Sequence, residues 1–144
     1  MTVIDSIIAD NAKAGFYASG TSVPYVRVSI DRSSFDNDGT GVQAGDYARI
    51  TVRNSEASGN QVGFAAQTTS GAAQMNISQS MATNNSIAGV SASSSSGTAA
   101  VRVQGMSVFN NGTGFQSGPN GTITSFGNNY NTGTGAPSTT LAPQ

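Results

Sequence analysis

The side chains able to do chemistry are few. Among 144 residues there are six basic and seven acidic ones, with no His and no Cys. Imidazole bases, thiol nucleophiles and His/Cys metal cages are therefore ruled out, and carboxylates and guanidinium groups remain. Asp10, Asp36 and Asp38 are the first candidate set. Brought to one corner they would suit a Ca²⁺ site, which takes about six to eight oxygens, or the carboxylate pair of glycoside hydrolysis. Asp also favours turns for backbone reasons alone, and that reading is preferred. Arg27, Arg49, Arg53 and Arg102 are the second set. Their forked donors match carboxylates, so a face carrying all four would make a shallow groove for an acidic polysaccharide. The competing reading is a solvated face with one surface ion pair, worth about 0–1 kcal/mol. A third stretch, Gly112-Thr-Gly-Phe-Gln-Ser-Gly118, has the glycines of a phosphate loop. No Lys follows it and no strand-to-helix context surrounds it, so it reads as a corner. No catalytic residue, metal ligand or cofactor is expected.

Composition narrows the classes further. Six scattered basic residues cannot form the dense stripe of a nucleic-acid surface. No apolar run reaches the ~18 residues of a membrane span. No secretory signal precedes the first strand, and the chain is expected to begin inside a longer protein. Leu occurs once, at Leu141, and Leu, Ile, Val and Phe together make only 26 residues. That lies below the ~20% at which disorder becomes a serious reading. A net charge of −1 lacks the repulsion of a disordered chain, and a regular repeat decides for order. Asn76, Asn84, Asn111 and Asn120 each begin an Asn-x-Ser/Thr triplet, which a chain this rich in Asn, Ser and Thr produces by chance.

The elements that must position these residues follow from a motif that returns five times, about every 20 to 27 residues. It reads aliphatic, any, polar, Ser, spacer, Asn, spacer, Gly, Phe or Val, any, Ala. The copies start at Val3, Ile30, Val52, Ile77 and Val103, and a fading sixth runs from Ile123 to Phe126. Such a period signals a solenoid in which each unit buries its apolar face only against its neighbours.

Aligning the copies gives columns. The anchors Val3, Ile30, Val52, Ile77, Val103 and Ile123, with Val28, Ile50, Met75 and Val101 two residues earlier, point inward by period-2 alternation. Three columns point outward. The first is Arg27, Arg49, Gln74, Ala100 and Asn120. The second is Thr2, Ser29, Thr51, Asn76, Arg102 and Thr122, too interrupted for a Thr array of the ice-binding type. The third is Ile4, Asp31, Arg53, Ser78, Gln104 and Thr124. Stacked strands lie about 4.8 Å apart, so Arg27 would adjoin Arg49 and Asp31 would adjoin Arg53. A second strand carries Ile8, Phe35, Ala57, Ala82 and Val108 inward. A third carries Phe16, Val42, Phe64, Val90 and Phe115, with an Ala column at Ala18, Ala44, Ala66 and Ala92. The Gly before each Phe or Val is expected to supply positive φ at a corner. Asn11, Asp38, Asn60, Asn85 and Asn111 are expected to stack at another corner.

The repeated Ser, Asn and Gly-Phe/Val spacing over about residues 3–130 resembles the right-handed parallel β-helix of the pectate-lyase-like superfamily. The stretch Gly121-Thr-Ile-Thr-Ser-Phe-Gly-Asn-Asn is similar to the last rung of a group of uncharacterised, mostly secreted bacterial β-helix proteins. The resemblance implies an all-β solenoid of about five to six rungs with no substantial helix. It would occupy residues 1–131, and residues 132–144 would form a low-complexity tail or an end cap touching through Leu141. The resemblance also implies a bias towards polysaccharides. Lyases of the superfamily use an Asp/Glu cluster for Ca²⁺ and an Arg or Lys base, and its hydrolases use several Asp on neighbouring rungs with a His nearby. The outward columns here hold Asp31 alone among the acids, and there is no His. The expected function is therefore a non-catalytic structural or surface-display segment of a larger secreted bacterial protein, outside the cell or on its surface. The alternatives are a carbohydrate-binding module for acidic polysaccharide, using Arg27, Arg49, Arg53 and Arg102, and a degenerate lyase or hydrolase. Unpaired strand edges at a solenoid's ends are adhesive, so a homo-oligomer formed chiefly through the first rung is also expected.

Overall fold

The structure is a computed structural model and describes residues 1–142. The chain winds through five full turns of three strands each. β1 (Thr2–Ile4), β2 (Ile7–Ala9) and β3 (Ala14–Ala18) make the first, and β4 (Val26–Asp31), β5 (Ser34–Asp36) and β6 (Thr40–Ala44) the second. The third holds β7 (Ala48–Arg53), β8 (Glu56–Ser58) and β9 (Val62–Thr68), and the fourth β10 (Ala72–Ser78), β11 (Met81–Thr83) and β12 (Ala88–Ser94). The fifth holds β13 (Thr98–Gln104), β14 (Ser107–Phe109) and β15 (Thr113–Ser117). Then β16 (Gly121–Ser125), β17 (Tyr130–Asn131) and β18 (Thr139–Thr140) close the chain. The first strands of the turns form a seven-stranded sheet A, the second strands a six-stranded sheet B and the third strands a five-stranded sheet C. Neighbouring strands run parallel, as in the pairs β4–β7, β5–β8 and β6–β9. No helix occurs among the described residues.

The core is a set of registered columns. Along β7, Ala48, Ile50 and Val52 are buried while Arg49, Thr51 and Arg53 face out, as a period of two requires. Phe16, Val42, Phe64, Val90 and Phe115 stack in register, and Ala18, Ala44, Ala66 and Ala92 stack beside them. Burying a Val or Phe side chain contributes roughly 1.5–3 kcal/mol. The first turn is less covered: Val3, Ile8 and Phe16 are only partly buried, and Ile7 is 83% exposed.

Each turn bends twice through the left-handed region. Asp5, Arg32, Asn54, Gln79 and Gly105 do so at the corner from sheet A to sheet B, and Asp10, Asn37, Gly59, Asn84 and Asn110 at the corner from B to C. Immediately after each bend except Gly105, which the apolar Met106 follows, comes a side chain that carries a ladder. At the first corner the amides of Ser6, Ser33 and Ser55 donate to the hydroxyls of Ser33, Ser55 and Ser80 on the next turn, at 3.1–3.2 Å. Each hydroxyl donates in turn to a carbonyl two residues back, as Ser55 does to Arg53 at 2.6 Å. At the second corner the amides of Asn11, Asp38, Asn60 and Asn85 donate to the Oδ1 atoms of Asp38, Asn60, Asn85 and Asn111. The Nδ2 groups of Asn60, Asn85 and Asn111 reach down to the carbonyls of Phe35, Ala57 and Ala82. Asn60 and Asn85 are almost wholly buried, and buried polar groups must be satisfied in this way.

Two expectations are corrected. The glycines before Phe or Val do not supply positive φ; that role falls to the bends just named. They sit inside sheet C because nothing larger fits. A Cβ on Gly63 would stand 2.6 Å from the Gly89 carbonyl oxygen and 2.9 Å from Asn85 Nδ2, and one on Gly41 would meet Gly63 and Asn60. The Asn ladder and the glycine column therefore occupy one space. The second correction concerns the last rung. Ile123 pairs with Val101, not Val103, and Thr122 and Thr124 pair with Ala100 and Arg102. Asn120, Thr122 and Thr124 thus leave the columns assigned to them. A slip of two residues keeps every side chain on its own face, so the alternation cannot reveal it. Ser125, held by Asn129 and by the Gly127 amide, takes the place opposite Val103, and the left-handed bend comes at Gly127, two residues later than the motif places it.

Residues 132–142 run back over the fifth turn. Gly114 donates its amide to the Thr134 carbonyl at 2.7 Å, Ile123 donates to Ser138 Oγ at 3.0 Å, and Leu141 donates to the Ser125 carbonyl at 2.8 Å. The attachment is made by backbone and by the Thr134 and Ser138 hydroxyls, while the Leu141 residue stays 45% exposed. Pro143 and Gln144, the end of the predicted tail, lie outside the described residues.

Candidate functional site

The outer face of sheet A carries all four predicted arginines, but the fold divides them into two pairs. Arg27 and Arg49 are register partners on β4 and β7. The Arg49 guanidinium lies over the Tyr25 ring, 3.9 Å from its centroid. Tyr25 in turn meets Tyr47 at 6.1 Å between centroids, tilted by 52°. Arg53 and Arg102 lie at the other end of the strands, two turns apart. They flank a groove of about 390 Å³ floored by Asn76 and Ser78 and walled by Phe126. Both are exposed.

Asp31 is the register partner of Arg53, yet its ion pair goes elsewhere. Arg32, at the bend, donates to Asp31 and also takes Asp5 at 2.8 Å through Nε. Asn54 Nδ2 occupies the other Asp31 oxygen at 2.9 Å. Among the described residues, Arg32 is the only arginine in an ion pair. Sequence columns missed this because Arg32 stands at the corner, outside every strand. The hydrogen bond from Arg32 holds the Asp5 carboxyl below its ordinary value.

The remaining acids are mostly committed to the framework. Asp38 is a ladder member, and Asp36 accepts from Ser34 Oγ at 2.6 Å. Asp46 was not singled out in the sequence. Its carboxylate gathers the Thr68 hydroxyl and the amides of Thr69, Ser70 and Gly71. Those bonds, led by the Thr68 hydroxyl and then the Gly71 amide, hold its carboxyl below the ordinary value. The predicted corner of Asp10, Asp36 and Asp38 is turn chemistry: Asp10 and Asn37 bend the chain while Asp38 stacks. Among the described residues no three His, Cys, Asp or Glu side chains are gathered as a metal site.

A larger cleft of about 770 Å³ runs along the corner from sheet A to sheet B, over the Ser ladder. Its charged lining is the closed Asp5–Arg32 pair and Glu56. Among its lining residues Glu56 is the one carboxylate outside that ion pair, whereas an acid/base couple takes two. No helix of the described residues is long and apolar enough to cross a membrane.

A family model described as a right-handed β-helix region matches residues 1–137. No curated protein and no solved structure matches the chain. With its parallel three-sheet winding and a match over nearly its whole length, the chain belongs to the right-handed β-helix family.

Proposed function

We propose that this chain is a non-catalytic structural or surface-display segment of a larger secreted bacterial protein. The observation that supports this reading is where the carboxylates go. Asp5, Asp31, Asp36, Asp38 and Asp46 each hold a framework hydrogen bond. Among the described residues that leaves Asp10 and Glu56, which takes only a long bond of 3.5 Å from Thr83 Oγ1, and the two stand on different turns. Polysaccharide hydrolysis needs two carboxylates facing one bond, and lyase chemistry needs a base beside a charge-stabilising ion. The separation of Asp10 from Glu56 supports the non-catalytic reading. The test is incubation of the purified chain with a panel of neutral and acidic polysaccharides, with and without Ca²⁺. Reducing ends and unsaturated products should not rise above the blank. Turnover that disappears in Glu56→Gln or Asp31→Asn would sink the proposal.

A second reading is favoured by one specific observation, the groove between Arg53 and Arg102. Two guanidinium groups without ion-pair partners, with Asn76 between them, suit the carboxylates of an acidic polysaccharide. Calorimetry with oligogalacturonate decides it: binding must weaken in Arg53→Ala and in Arg102→Ala, and heat unchanged in both removes this reading.

A further inference from the structure

The arginines at the far end of sheet A have a different setting. Arg27 and Arg49 stand side by side in register on neighbouring strands, where strand spacing puts them about 4.8 Å apart. Like charges directly opposite on a sheet destabilise it, so this pairing costs stability unless an anion comes between them. No carboxylate does so among the described residues, since both ion pairs belong to Arg32. Asp46, close by in sequence, spends its carboxylate on the loop amides of residues 69–71.

Arg49 is also held in place. Its Nε is buried with no hydrogen-bond partner, so its guanidinium is positioned by the Tyr25 ring beneath it. Tyr25 is braced by Tyr47. Tyr47 adopts φ of +53°, a left-handed conformation that a bulky residue takes only when its surroundings enforce it. Its ring rests on Gly71, where a Cβ would come 2.9 Å from two ring atoms. Gly71 is in turn tied to Asp46 at 2.7 Å. A strained aromatic residue thus supports a second ring, and that ring holds a guanidinium over its face beside an exposed Arg27.

We propose that Arg27 and Arg49, on the Tyr25–Tyr47 platform, form an oxyanion-binding subsite distinct from the Arg53–Arg102 groove. Its ligand is a sulfate, phosphate or carboxylate group, free or carried on a larger molecule. The stacked guanidinium presents its outer N–H groups while Arg27 closes from the adjoining strand. Holding Arg49 in advance reduces the ordering cost of binding. This subsite does not depend on the display reading above, and either can fail alone.

The test is titration of the full chain with sodium sulfate, against sodium chloride of matched ionic strength to remove simple screening. The Arg Nε–Hε resonances are followed by NMR. Saturable shifts are expected at Arg49 and Arg27, with a dissociation constant on the order of 1–10 mM. Arg27→Gln, at an exposed position, should weaken the response about tenfold, as loss of one charge-assisted partner does. Arg102→Gln should leave it unchanged, and Tyr25→Leu should weaken it while both arginines remain. Parallel titrations with inorganic phosphate and acetate identify the group by the tightest response. A shift no larger than that in chloride, or one that survives Arg27→Gln or is lost equally in Arg102→Gln, overturns the subsite.

Discussion

The corner ladders and the outer face of sheet A are both rows of polar side chains repeated once per turn, and they differ in what those side chains touch. At the corners, Ser33, Ser55, Asn60 and Asn85 are buried and bonded to the turns before and after them. On the outer face, Arg27, Arg53 and Arg102 are exposed, and none is in an ion pair among the described residues. The difference teaches where this chain keeps its constraints. A ladder residue has no alternative partner in the interior, so its loss leaves buried groups unsatisfied. An outward residue can always turn to water, so its identity is free to follow a ligand or drift.

Substitutions can break or sharpen that contrast. The largest effect is expected from Asn85→Ala, which strands the Asn60 amide and the Ala57 carbonyl. It should lower stability by about 3 kcal/mol in urea unfolding. A loss below that of an ordinary surface change would mean the ladder is ornamental. Gly63→Ala forces a Cβ against the Gly89 carbonyl and should cost about 2 kcal/mol. Tolerance there would show that the glycine column does not need to be empty.

Asp46→Asn should cost about 1–2 kcal/mol at neutral pH by weakening the charge-assisted bonds to the loop. The folded carboxyl titrates below its ordinary value of 3.8. The stability it adds is therefore present above that value and is lost as pH falls through the lower folded one. The variant should show a flatter acid limb, and an unchanged limb would remove Asp46 from the acid response. Asp38 sharpens the contrast in the opposite sense. Its Oδ2 is buried without a partner, at the position from which Asn60 Nδ2 donates to the Phe35 carbonyl. The register-equivalent carbonyl below Asp38 belongs to Ile8. Asp38→Asn should complete the ladder and stabilise by about 1 kcal/mol, and no gain would show that the first turn cannot close onto it. The smallest effect belongs to the outer face. Arg53→Ala with Arg102→Ala should change stability by less than about 0.5 kcal/mol, and a larger loss would mark the groove as structural.

Much of this was legible in the residues. The alternation in Val28-Ser29-Ile30 and Ile50-Thr51-Val52 fixes which faces turn inward, and the spacing of Gly-Phe/Val fixes the third strand. The Asn corner was legible because Asn recurs at one offset. Ser recurs at one offset too, but its ladder was not read from the residues, because only the register of neighbouring turns shows that each hydroxyl accepts the amide of the turn before. The role of Gly63 was misread because glycine serves both left-handed bends and close approaches, and only the neighbouring turn tells them apart. Of the candidate site, the four arginines were named and Arg27 was set beside Arg49, but the separate groove between Arg53 and Arg102 was not. Tyr25 and Tyr47 lie in loops whose path the repeat does not specify, and Arg32 sits at a corner outside the columns.

By itself the sequence determined the solenoid, its inward columns through the fifth turn and the poverty of its catalytic inventory. These depend on residue type and on a period of two within a period of one turn, and both survive without coordinates. The tertiary structure decided the register of the last turn, the partner of Asp31, the interlocking of glycine and asparagine, and the stacking of Arg49 on Tyr25. Each of these depends on which atoms of separate turns come within about 3–4 Å. A two-residue slip or a loop's course changes that distance while leaving the pattern of the chain untouched.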